Sequence, residues 1–430
     1  RKRRERGGRR RGRRGMEHSG DWFDVIVVGA GIMGSCTAYQ VAKRGRRALL
    51  LEQFDFLHCR GSSHGESRTF RPTYPEPYYH ALVMESYRLW EEAQSEIGYR
   101  VHFKTPQLDM GPADDGSLQA VIANCRLHSI PHRILDRHQA AEEFSGRIAL
   151  PENWIALSTG LGGVLKPTKA VCMFQTLALQ NGAVLRDRVE VSGVDRDSIG
   201  GGGGVVVSTT SGEKFRGGKC VITAGPWVRK LAKRVSGLDL PIEPVETSIY
   251  YWRIKEGCEA AYRIEGGFPT FASYGEPYVY GTPSLEYPGL LKVSVHGGRA
   301  CDPDRRRWGR AVALGPVKQW IERVFEGRVD SSDPVVVQSC MYSITPEEDY
   351  VIDFVGGELG RDVVVGGGFS GHGFKMGPVV GSILADLALD GEAGARELGY
   401  FRMDRFVKNP MGNPKAFRSQ VDHDRCRTRL

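Results

Sequence analysis

The chain has 430 residues, 40% hydrophobic and 26% charged, enough to bury a large core in two domains or one elaborated one. Its net charge of +8 is concentrated in residues 1–15, RKRRERGGRRRGRRG, so the remainder is close to neutral and a nucleic-acid-binding face on the folded part is not expected. There is no apolar run of ~18 residues to span a membrane as a helix, and the nine scattered cysteines lack C-x-x-C pairs, which argues against a zinc site or disulfide framework and for a reducing compartment.

The basic run reads as a disordered tail over residues 1–20, with Met16 as an alternative start; a polyanion-binding arm is the competing reading. It has neither the amphipathic, Ser-rich character of a transit peptide nor a following apolar h-region. Asp24 to Gly34, DVIVVGAGIMG, combines an apolar run with Gly29, Gly31 and Gly34 in G-x-G-x-x-G spacing. These glycines suit a tight turn, close approach to a pyrophosphate and close packing of a helix over about Gly34 to Lys43. A strand from Arg47 to Leu51 ends at Glu52, where an acid can bind a ribose hydroxyl. Strand, glycines, helix, strand and acid in this order predict an adenine dinucleotide site; a ligand-free βα turn is the bland alternative.

A polar loop follows Phe54, then helices over Tyr78–Ser95 and Ser117–His128, and a third over Pro167–Asn181. Ala183 to Val189 reads as a strand. Gly200 to Gly204 reads as a hairpin tip between Val191–Val194 and Val205–Thr210. Lys219 to Ala224 is a buried strand entering Gly225-Pro226-Trp227. Residues 241–295 alternate as antiparallel strands, and a helix covers Val312–Val324. Strands over Asp349–Phe354 and Asp362–Val365 lead into GGGFSGHGFK and a helix over Pro378–Leu389. The terminal Thr428-Arg429-Leu430 is a loose relative of the peroxisomal S-K-L address, so peroxisome or cytoplasm is expected.

The motifs DVIVVGAGIMG, GSSHGESRTFR, VITAGPW, LKVSVH, CMYSITPEEDYVID and GGFSGHGFK resemble the monomeric sarcosine oxidase and pipecolate oxidase family of flavin amine oxidases, from Phe23 to about Gly391. The resemblance implies an α/β, Rossmann-type FAD-binding domain (21–100, 160–235 and 335–395) and a discontinuous α+β substrate domain with an antiparallel sheet (101–159 and 236–334), followed by a C-terminal tail (396–430). It implies a monomer acting on a small amino acid with O2.

Residue by residue, it implies that Gly29, Gly31, Gly34, Glu52, Ser63, Val189, Gly371 and Lys375 contact the cofactor, with Cys340 carrying covalent FAD. A small buried hydrophobe is the ordinary reading of such a cysteine. Arg71 and Lys375 match the pair that grips a substrate carboxylate; two buried cations would be costly without an anion between them. Lys292, on one strand face with Ser294 and His296, matches the lysine that helps oxygen react. His296 and Tyr280 match residues lining the substrate cavity, and His64 and Arg68 match loop residues near the flavin ring. Lys292, His296, Arg68 and His64 are thus the candidate catalytic set, with no metal. His372, between two glycines, is expected to shape its loop. Glu246-Thr247 stands where the family commonly has Arg-Gln, which weakens transfer of substrate preference. The rival enzymes are a glycine or D-amino acid oxidase and a flavin dehydrogenase.

Overall fold

The computed structural model describes residues 22–198, 203–306, 308–309 and 311–417. The basic run of residues 1–15, the start of the glycine run and Thr428–Leu430 lie outside the described residues.

Two sheets make up the molecule. The first is centred on Trp22–Val28, which pairs in parallel with Lys214–Ile222 on one side and Ala48–Leu51 on the other. Gly360–Gly367 and Val184–Arg186 extend it in parallel, Val351–Gly356 closes it antiparallel, and the hairpin Val191–Arg196/Val205–Thr209 joins Lys214–Ile222. Its strands read as unbroken apolar runs because both faces are covered. Val25, Val27 and Leu50 face a core shared with the helices Ile32–Lys43, Pro167–Gln180 and Gly377–Asp390. Ile26, Leu49 and Leu51 face a second core capped by Val228–Ser236.

Small residues set how closely the helices pack. A Cβ on Gly381 would sit 2.5 Å from Cys36 Cβ, and one on Gly377 2.6 Å from Ile32 Cγ1. Ile32–Lys43 is therefore clamped against Gly377–Asp390 and buried nearly all round, as its low amphipathicity requires.

The second sheet has ten strands in the main order Arg299–Ala300, Glu243–Arg253, Leu290–Val295, Val279–Pro283, Thr270–Ser273, His102–Pro112, Trp154–Leu165 and Arg68–Phe70. Val336–Ile344 pairs antiparallel with Glu243–Arg253, and Arg133–Leu135 with Trp154–Leu165. The sheet is antiparallel except where Thr270–Ser273 runs parallel to His102–Pro112. The helix Leu314–Phe325 packs on it through Trp320, which stacks on Phe271 at 5.4 Å.

Several boundaries differ from expectation. Arg68–Phe70 and Val336–Ile344, expected in the FAD-binding part, hydrogen-bond in the second sheet, and Trp154–Leu165 runs across an expected border. Ala183–Val189 shortens to Val184–Arg186 because Arg188 takes a positive φ of 54°; Val189 then turns back to bond Glu52 O. The C-terminal segment is a docked strap as far as residue 417. Arg402 bonds Asp353 at 2.7 Å, Arg405 bonds Glu347 at 2.6 Å, and Lys415 bonds Glu76 at 2.5 Å.

Candidate active site

One cavity runs between the sheets, and the chain brings four distant segments to it. At one end is the glycine turn. Gly29 has φ +101°, and a Cβ there would lie 2.6 Å from Thr223 O; only glycine meets both demands. A Cβ on Gly34 would collide with Gly29 O, and one on Gly31 would lie 3.0 Å from Ser63 Oγ. Ser63 Oγ accepts Ile32 N–H at 3.1 Å, tying the loop to the helix N-terminus. The Glu52 carboxylate accepts Ala30 N–H at 2.8 Å and Phe54 N–H at 3.1 Å, and Val189 N–H bonds Glu52 O at 2.8 Å. Backbone close to open space, a helix N-terminus and a fixed acid are what an adenine dinucleotide needs, so these residues fit FAD.

The middle of the cavity is walled by Arg68, Cys340, Tyr280, Tyr342 and Gly371. Arg68 donates to Ser67 O, Ser62 O and His64 O at 2.8–2.9 Å and brings Nη2 to 3.8 Å from Cys340 Sγ. Gly371 has φ +75°, and a Cβ there would meet His296 Cε1 at 2.8 Å.

Two members of the expected catalytic set stand one layer behind the wall. His64 meets Gln338 Nε2 through Nδ1 at 3.2 Å; burial and the nearby Arg68 push it down to about 3, so it is neutral. Lys292 is fully buried behind Tyr280, with Nζ 5.5 Å from that ring and 2.8 Å from Ser67 O. Burial, followed by Arg68, brings its ammonium down to about 7.

At the far end, Arg71 and Lys375 both reach the cavity and both border Tyr74, 4.9 and 5.1 Å from its ring. Lys375 Nζ donates to Tyr74 OH at 2.9 Å and His372 O at 2.8 Å. Burial and the charge of Arg71 hold its ammonium well below the ordinary lysine range. No carboxylate among the described residues lies within 4 Å of it. His296 lies on the same wall, lowered to about 4 by burial, with Nε2 4.0 Å from Glu348 Oε2. His372 bonds Tyr350 OH at 2.9 Å and Glu348 O at 3.0 Å, so it fixes its loop.

Sequence reasoning missed Asp109. This fully buried acid stands 3.8 Å from Arg71 Nη1. The two expected cations therefore do not await an anion alone, since Arg71 already has an internal counter-ion. The signal was an acid inside an otherwise strand-like run, TPQLDMGP. Tyr74 was also missed, inside a loop read only as polar.

Comparison with known proteins gives a consistent picture. The family described as "FAD dependent oxidoreductase" matches residues 24–387. The chain is 63% identical to a "Probable sarcosine oxidase" of Arabidopsis thaliana, covering 94% of this chain and 98% of that protein. It is 37% identical to the "Peroxisomal sarcosine oxidase" of Homo sapiens, covering 90% and 97%. Among solved structures, NikD, "an unusual amino acid oxidase essential for nikkomycin biosynthesis", superposes with a TM-score of 0.74 at 25% identity, covering 87% of this chain and 95% of that one.

Proposed function

Because the chain belongs to the FAD dependent oxidoreductase family, we propose that it is an FAD-dependent oxidase of secondary amino acids, N-methyl or cyclic, such as sarcosine or L-pipecolate. The observation that carries this reading is a single cavity with a dinucleotide loop at one end and Arg71 with Lys375 at the other. Its sarcosine oxidase relatives support the substrate class. All the residues involved come from one chain, so a monomer suffices. The peroxisomal location in the human relative's name supports a peroxisomal location, with the cytoplasm as the alternative.

When bound, FAD supplies a hydride acceptor at flavin N5 and passes the electrons to O2, giving an imine and H2O2. The protein supplies position and charge. Arg71 offers a planar fork and Lys375 a point charge to the substrate carboxylate. A bound carboxylate also favours the charged form of Lys375, offsetting the burial that suppresses it. His296, neutral at physiological pH, lines the substrate space. The amine must lose its proton before hydride transfer, and the nearby cations favour that neutral form. Lys292 supplies positive charge for reduced oxygen from behind Tyr280. Cys340, beside Arg68, is the proposed attachment point of the flavin. Acid precipitation should leave FAD with the wild-type protein and free FAD in solution from Cys340→Ser; flavin retained in that variant's pellet would remove the assignment.

The deciding experiment is peroxide release by the purified chain with sarcosine, L-pipecolate, L-proline, glycine and D-alanine side by side. Peroxide from a secondary amine is the expected result. Peroxide from glycine or D-alanine alone would move the enzyme to the primary-amine oxidases, and dye reduction without peroxide would make it a dehydrogenase.

A further inference from the structure

Arg71 is held along one edge. Its polar contacts run through Nη1, to Thr73 O, to Thr73 Oγ1 at 3.5 Å and to Tyr274 OH at 3.4 Å, with Asp109 Oδ1 at 3.8 Å. A guanidinium has five donors in a rigid fork, so this leaves donors for a ligand in the cavity that Arg71 lines. Asp109 comes from the strand His102–Pro112. Tyr274 OH donates to Asp109 Oδ1 at 3.3 Å, and the Thr73 hydroxyl and the Gln107 amide also favour its charged form, against the burial that raises it. A fully buried acid beside a guanidinium is costly unless its charge has a use. Its use is at Arg71: it balances the guanidinium when no ligand is present, and it repels a carboxylate that arrives on the other edge.

We propose that Asp109 is a positioning and specificity-determining residue, one that fixes the orientation of the Arg71 fork and limits how tightly the site holds any carboxylate, so that a carboxylate-bearing product can leave. This rests on the reading of Arg71 as the substrate-carboxylate residue. Two carboxylates sharing one guanidinium from opposite edges lie ~6 Å apart, where their repulsion in a partly buried site is worth about tenfold or more in affinity.

The test is the dissociation constant of acetate, with acetamide as the uncharged control, measured by calorimetry on FAD-loaded wild type, Asp109→Asn, Tyr274→Phe and Arg71→Met, together with KM and kcat. Asp109→Asn keeps an acceptor for Tyr274 and removes the charge. It should bind acetate about tenfold tighter with acetamide unchanged, and lower KM without raising kcat. The groups facing Asp109 are Arg71, Tyr274, Tyr278 and Cys125, and those facing Arg71 include Tyr74, Lys375 and His296. Burial raises the three tyrosines and the cysteine, which stay neutral. Wild-type acetate affinity should therefore rise on acidification more than that of Asp109→Asn, which lacks the Asp109 contribution while Lys375, His296 and the Glu348 beside it are common to both. Tyr274→Phe leaves Asp109 to Arg71 alone and should weaken acetate several-fold. Equal acetate affinity in wild type, Asp109→Asn and Tyr274→Phe, with binding lost in Arg71→Met, would overturn the role of Asp109 alone. Undiminished acetate binding by Arg71→Met would overturn the placement of the substrate carboxylate itself.

Discussion

Lys292 sits at the balance point of two opposing effects. Burial, followed by Arg68, pushes its ammonium down to about 7, yet Glu66 draws it back toward the charged form. A group poised there is charged below neutrality and loses that charge as the pH rises through about 7. If the charge assists oxygen, the oxygen half-reaction of the wild type should slow across that same interval. Lys292→Met should slow it by about 10²-fold, the scale of removing one preorganised electrostatic partner, and flatten its pH dependence while leaving substrate oxidation nearly unchanged. Stopped-flow measurement of the two half-reactions separates these effects, and an equal loss in both would remove Lys292 from the oxygen step. The motif LKVSVH and the strand face it shares with Ser294 and His296 made this lysine a candidate. Its place behind Tyr280 was not, because alternation assigns a face and says nothing about depth. Asp109 was harder still. Its partner Arg71 lies on another segment with no sequence period relating the two, so only the folded sheet brings them together.

Among the elements, helices were legible because their ends carry local chemistry. Asp115 caps Gly116–Leu127 by accepting Leu118 N–H at 2.9 Å, Pro167 opens Pro167–Gln180, and Gly391 ends Gly377–Asp390 with φ 79°. Strand membership was less legible. Arg68–Phe70 has three residues, too few for a period, and Val336–Ile344 finds its partner about ninety residues upstream in Glu243–Arg253. The contact between Ile32–Lys43 and Gly377–Asp390 is the element on which the cofactor turn rests. Adding one methyl at Gly381 drives it into Cys36 Cβ and into backbone, at 2.5 and 2.7 Å. Gly381→Ala should therefore cost about 1–3 kcal/mol as an overpacked core position, despite alanine's better helix propensity. Because Ile32–Lys43 begins at the glycine turn, retained FAD should fall along with the urea midpoint. A variant as stable as wild type would mean that the two helices can separate without loss.

At the level of the whole molecule, several buried polar groups have their protonation set by folding, which makes acid stability a property of the assembled chain. His64 is lowered to about 3 and His102 to about 4, burial being the largest cause for both. Unfolded histidine takes up a proton near 6.5, whereas these two resist it when folded. The unfolded chain thus binds more protons between about 6.5 and 4, and folding stability falls as the pH drops through that window. Asp109, Glu76 and Glu347 act in the opposite sense, since burial raises them and the folded chain takes up their protons first. The net acid limb mixes both signs, so one residue must be isolated by difference. His102 suits this, being away from the cavity wall, packed 4.7 Å from the Phe70 ring, with neither ring nitrogen hydrogen-bonded among the described residues. His102→Leu removes its titration while keeping an apolar filler. Relative to wild type, the variant should gain about 1–3 kcal/mol on going from pH 7 to pH 4.5, each tenfold loss of proton affinity on folding being worth about 1.4 kcal/mol. Urea unfolding of the FAD-loaded proteins at the two pH values measures this directly. A stability difference that does not change with pH would mean that His102 titrates normally, and that water reaches this layer of the second sheet.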